Sequence, residues 1–125
     1  MTPAALIAEA RRHVGEFRLS EPDFSAASVA AALVTDAGTL FTGVCIDVAC
    51  GLGFCAEHAA VAAMLQGRET AVRMIVAVAE DRVLAPCGRC RELLWQVDRR
   101  NAECDVVLGP DRTVRLKVLL PLAWS

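Results

Sequence analysis

Two kinds of apolar pattern alternate along the chain. Leu6, Ile7, Ala10, Val14 and Phe17 recur at helical spacing behind Thr2-Pro3, a hydroxyl N-cap with proline at the first helical position. "SEPDFS" breaks that spacing. Two runs rich in apolar, β-branched and aromatic residues follow, "ASVAAALVT" and "TLFTGVCI", separated by "DAG"; they predict a β-hairpin. "DVACGLG" reads as a glycine-bearing loop, and "CAEHAAVAAMLQG" as a helix that stops at Gly67. "VRMIVAVAE" is short and continuously apolar, the pattern of a strand covered on both faces. After a loop, "DRVLAP", the stretch "CGRCRELLWQVDRR" predicts a helix with Leu93, Leu94 and Val97 on one side. "CDVVLG" and "TVRLKVLL" predict two strands around the turn "PDR", and "LPLAWS" a short tail. The order α-β-β-α-β-α-β-β predicts one domain over residues 1–125, with helices packed about a mixed sheet.

Composition narrows the function classes. The 125 residues are 55% apolar with a net charge of −2, enough for a full core. The arginines are scattered, and no basic run exceeds a pair such as Arg99-Arg100, so no duplex-binding patch is expected. No apolar run reaches transmembrane length, and the acidic residue and arginines in the N-terminal pattern exclude a secretory signal. A reducing, cytoplasmic setting is therefore expected, in which the six cysteines are thiols or metal ligands rather than disulfides.

Three of those cysteines fall at two expected helix starts. Cys55 opens one helix; Cys87 and Cys90, in "PCGRC", open another, and their i, i+3 spacing turns both thiols to one side. A Cys-x-x-Cys alone is a weak signal. With Cys55 it gives three thiolates and an open position, the layout of a catalytic zinc; a structural site would want a fourth protein ligand. Helix N-termini favour thiolate over thiol. Glu57, two residues after Cys55, diverges from the ligand direction and can lean over the open position, where a carboxylate can take a proton from water and deliver it to a departing nitrogen. Alone, a first-turn glutamate is more simply a response to the helix dipole.

"CAE" followed by "PCGRC" resembles the signature of the zinc-dependent cytidine deaminase family, [His/Cys]-x-Glu … Pro-Cys-x-x-Cys. "VAAALVTDAGTLFTGV" resembles the family's first hairpin and "LLPLAW" its C-terminal segment, so the likeness covers most of the chain from Ser28 onward. The three-cysteine set is that of the small tetrameric nucleoside deaminases, and "PCGRCRE" is similar to the blasticidin S deaminase branch. The resemblance implies a three-layer α-β-α fold with a central five-stranded mixed sheet. It implies one zinc per chain on Cys55, Cys87 and Cys90, Glu57 as proton shuttle, attack of hydroxide on C4 of a cytosine ring with loss of ammonia, and a homo-oligomer, a tetramer.

The same comparison nominates a substrate wall. Where nucleoside deaminases carry Asn-Val-Glu-Asn to hold the ribose, this chain has Cys45-Ile46-Asp47-Val48, which puts Cys45 and Asp47 against the substrate with the sugar-reading chemistry rewritten. Ala56, between the ligand and the glutamate, joins them. The family's ring-packing phenylalanine aligns near Ala27, with Phe24 able to serve from a shifted loop. His58 stands where an arginine commonly supports a ligand sulfur, and Arg89 or Arg91 can supply that charge instead. The expected substrate is a cytosine nucleoside or a related amino-heterocycle. The alternative is a catalytically silent, zinc-stabilised binding module, which would give Glu57 no task. A nucleic-acid-editing deaminase would need a basic single-strand channel, and a redox dithiol would leave Cys55 and Glu57 unexplained.

Overall fold

A computed structural model describes all of residues 1–125. The elements are α1 (Pro3–Arg11), β1 (Phe17–Arg18), β2 (Ser25–Thr35), β3 (Leu40–Asp47), α2 (Ala56–Gln66), β4 (Val72–Val78), β5 (Val83–Leu84), α3 (Gly88–Val97), a 3-10 turn (Arg99–Glu103), β6 (Asp105–Gly109), β7 (Arg112–Arg115) and α4 (Leu116–Leu119). Five strands form the body of one mixed sheet in the order β3-β2-β4-β6-β7, with β4 and β6 parallel and the other neighbours antiparallel. The expected five-stranded sheet gains two strands of two residues each, β1 on the end of β2 and β5 on the end of β4.

Alternation along the strands makes the three layers. Ala31, Leu33, Ile75, Ala77 and Val106 face a core shared with Ala56, Ala60, Val61 and Met64 of α2 and Leu94 of α3. Ala32, Val34, Met74, Val76, Val78 and Val107 face the opposite way, onto Leu6, Ile7 and Ala10 of α1. Helices on both faces explain why β4 reads as an unbroken apolar run. No helix is long and apolar enough to cross a membrane.

Four boundaries differ from the sequence pattern. α1 ends at Arg11, and Phe17 belongs to β1, where it is exposed. "DRVLAP" holds β5, pinned by the Ala79 amide on the Arg82 carbonyl (2.8 Å). The helix after Cys87 breaks at Asp98, whose carboxylate caps the 3-10 turn through the Arg100 amide (2.9 Å) and accepts from the Thr70 hydroxyl (2.7 Å). "TVRLKVLL" is a strand only to Arg115: fully buried Leu116 donates its amide to Cys104 (3.0 Å), pulling the chain off the sheet into α4. Beside the break, buried Asn101 accepts from the Val72 amide (2.7 Å) and donates to Leu94 (2.9 Å) and Thr70 (3.1 Å), locking the end of α3 to the start of β4.

Candidate active site

β3 and β4 run the same way, and each hands the chain to a helix at its carboxyl end: β3 to α2, and β4, through β5, to α3. Both helix N-termini therefore meet at the same end of the sheet, on either side of the antiparallel β2. Close approach of α2 depends on Gly43 of β3, since a β-carbon there would overlap the Ala60 backbone nitrogen. A loop from Val48 to Phe54, held by reciprocal amide-to-carbonyl bonds between Ile46 and Phe54 (3.1 and 3.0 Å), delivers Cys55 to the helix start.

Cys55 is the N-cap of α2 and Cys87 the N-cap of α3, and neither thiol is spent on capping its own helix. Instead Cys55 Sγ lies 3.5 Å from Cys87 Sγ, which lies 3.5 Å from Cys90 Sγ. Thiolates on a tetrahedral zinc, with bonds of about 2.3 Å, stand about 3.8 Å apart. The donor set thus fits zinc in type and spacing. His58 joins from the first turn of α2: its Nδ1 is 3.5 Å from Cys90 Sγ, and donor atoms of Cys55, His58 and Cys90 lie within 4.8 Å of one another, a group able to hold a metal ion.

Burial and the helix ends set the protonation of these groups. Burial pushes the Cys55 thiol up, and pushes buried Cys90 up strongly, with Glu57 and the neighbouring thiols adding to the effect. At Cys87 burial acts the same way but is outweighed by the nearby amides of Cys90 and Arg89, which favour the thiolate without closing a capping bond, and by the other thiols, and its pKa falls. Burial also raises the Glu57 carboxyl, which is only 5% exposed. Burial and the Arg89 charge lower the pKa of His58, so that the imidazole is neutral near pH 7.

A cavity of about 730 Å³ opens at this end. Cys55, Ala56, Glu57, Cys87 and Arg89 line it together with Phe24, Cys45 and Asp47. Cys90 and His58 lie behind the lining. Arg91 stands apart from the sulfurs: its guanidinium donates to the Pro86 carbonyl (2.7 Å) and the Leu119 carbonyl (2.9 Å), bracing the turn before Cys87. Ser28 and Phe54 are among the lining residues that were not singled out in the sequence. Phe54 had a signal, an aromatic immediately before the first cysteine. Ser28 had none, because an irregularity in β2 alters the alternation there.

Residues 7–104 match the family model described as the cytidine and deoxycytidylate deaminase zinc-binding region. The chain is 36% identical over 107 residues to a cytidine deaminase of Mycobacterium tuberculosis, covering 82% of this chain and 76% of that protein. The crystal structure of cytidine deaminase from the same organism superposes with a TM-score of 0.80 at 31% identity, covering 98% of this chain and 96% of the other. That of the Burkholderia pseudomallei cytidine deaminase gives 0.80 at 32%, covering 99% and 100%. With matching fold, matching signature and a thiol cluster suited to zinc, the chain belongs to the cytidine deaminase family of zinc-dependent deaminases.

Proposed function

We propose that the protein is a hydrolytic deaminase of a cytosine nucleoside or a related amino-heterocycle, acting as one domain over residues 1–125. Cys55, Cys87 and Cys90 would hold one zinc, with His58 Nδ1 donating to the Cys90 sulfur rather than filling the fourth position. Zinc so placed supplies Lewis-acid activation of water at neutral pH. Glu57 takes the proton from the attacking water and passes it to the departing amino nitrogen. Water adds at the ring carbon bearing the amino group, the C–N bond breaks, ammonia leaves, and the ring keeps a carbonyl oxygen. Ala56 and Phe24 bound the ring, and Asp47 meets the substituent beyond it.

The observation that carries this reading is Glu57, a carboxylate 5% exposed yet opening onto the cavity beside Cys55 and Cys87. Its raised pKa suits a group that must both accept and return a proton. A silent binding module would gain nothing from burying it. Glu57→Gln keeps the shape and removes the base. Ammonia release from cytidine, deoxycytidine, cytosine, blasticidin S and aminopurines should single out a substrate class, and on it the variant should lose ~10²–10⁴-fold in kcat with zinc content unchanged by metal analysis. A parent protein that binds zinc but deaminates none of the panel would favour the binding module.

We propose also that the chain works as a homo-oligomer, a tetramer. Exposed Leu52, Val118, Leu122 and Trp124 support it, being large apolar side chains of the kind that mark contact surfaces.

A further inference from the structure

Ser28 enters the cavity from an irregular point in β2. The register with β3 shifts between Ala26 and Ala30, and Ala27 takes φ 66°, a left-handed conformation that is strained for a residue with a β-carbon. Two bonds cross from this bulge to the end of β3. The Ser28 hydroxyl donates to Asp47 Oδ2 (3.3 Å), and the Val29 amide donates to Cys45 Sγ (3.3 Å). Cys45 Sγ in turn lies 3.2 Å from Ser28 Oγ and 3.5 Å from Asp47 Oδ2. The strained bulge and the last turn of β3 form one polar knot on the cavity wall.

Counting donors shows what the knot can offer a ligand. Ser28 has one hydroxyl proton, and Asp47 takes it. Cys45 is buried, its sulfur accepts from Val29, and its S–H points to Ser28 or Asp47. Asp47 is exposed toward the cavity, and both bonds from the knot reach its Oδ2, leaving Oδ1 free. An ionised carboxylate only accepts. The wall presents acceptors and holds its donors inward.

We infer that Ser28 is a positioning residue that orients Asp47 so that Oδ1 receives a hydrogen bond from a donor substituent on the substrate ring, a hydroxyl or an ammonium group. Cys45 anchors the bulge and does not read the substrate. This rests on the deaminase reading and adds a specificity device to it. The strain at Ala27 has a use on this view: it turns consecutive groups, the Ser28 hydroxyl and the Val29 amide, toward the same strand end.

The test uses the zinc-loaded chain and three ring compounds: cytosine with no substituent, cytidine with neutral hydroxyls, and 3′-amino-3′-deoxycytidine with an ammonium. Ser28→Ala should lower the ratio of kcat/KM for cytidine to that for cytosine by about 3- to 10-fold, the worth of one hydrogen bond, through the KM of cytidine rather than kcat. Ser28→Thr should restore it. The amino compound tells which donor the wall prefers: a lower KM than cytidine assigns the ammonium, a higher one the hydroxyl. Equal losses on cytosine and cytidine, or no change on cytidine, overturn the assignment. If the parent deaminates none of the three, the reaction reading has failed separately, and calorimetric binding of uridine against uracil decides Ser28 by the same ratio: a 3- to 10-fold fall in the variant supports it, and an unchanged ratio overturns it.

Discussion

A cysteine at a helix N-cap gives up the capping bond that serine or aspartate would make, typically ~1 kcal/mol. This chain does so twice, at Cys55 and Cys87, and the two uncapped thiols face each other at 3.5 Å. The cost is understandable when the sulfurs have a cation to bind. His58 is the residue whose role the pattern of types left open. It sits three residues after Cys55 on α2, 3.5 Å from Cys90 Sγ, and is held neutral by burial and by Arg89. A neutral imidazole carries one N–H, which it can give to a thiolate, moderating its charge. His58→Ala should therefore retain about one zinc per chain but bind it ~10–100-fold more weakly in a chelator competition. Complete loss of zinc in that variant would make His58 a ligand and close the open position.

At the scale of elements, the site depends on how closely α2 lies on β3. Gly43 faces Ala59 and Ala60, and any β-carbon there must push the helix away. Gly43→Ala should cost about 1–3 kcal/mol by overpacking, read as a lower urea midpoint at unchanged slope. It should also weaken zinc binding, because α2 carries Cys55 and His58 while Cys87 and Cys90 stay on α3. An ordinary core defect remote from α2 would lower the midpoint alone. The Gly67 stop has a related cause. Gly67 itself has an ordinary φ of −77°, the left-handed residue is Arg68 at 64°, and a β-carbon on Gly67 would come within 3.0 Å of the Phe41 ring.

For the whole molecule, Asp98 joins parts distant in sequence. It breaks α3, caps the 3-10 turn, and accepts from Thr70 just ahead of β4. The Arg100 guanidinium, with help from Thr70, holds its carboxyl well below the usual carboxylate range. A carboxyl depressed in the folded state is protonated first in the unfolded chain, so its stabilisation is complete above the unfolded pKa of about 3.9 and is lost as pH falls below it. Asp98→Asn should destabilise by about 1–2 kcal/mol at pH 7. The gap from the parent should narrow below about pH 4, which urea titrations at pH 7, 5 and 3.5 would resolve; a gap constant with pH would mean the carboxylate charge plays no part. Assembly belongs to this scale too. Trp95 Nε1 and Arg99 both donate to the Ser125 carbonyl (2.8 Å each), holding the tail on α3 while Leu122 and the Trp124 ring stay outward. Light scattering at micromolar concentration should give a mass above one chain, and a monomer would contradict the oligomer.

Periodicity alone set out the α-β-β-α-β-α-β-β order, the two-faced burial of β4, and the thiols at two helix starts. These are local matters: spacing of apolar residues, caps, and the i, i+3 geometry of Cys87 and Cys90. The family signature lay in the same short stretches, which is why the chemistry was legible before the fold. What tertiary structure decided was every feature arising between distant segments. The break at Asp98 requires Thr70, the bend at Leu116 requires the Cys104 carbonyl, and the meeting of His58 with Cys90 requires two helices side by side. Arg91 looks in sequence like a charge for the sulfurs and in space braces two carbonyls. The substrate wall was least visible. A bulge at Ala27 alters the alternation that sequence reading depends on, and so hides Ser28 in a strand whose side chains can be assigned to faces only once β3 is beside it.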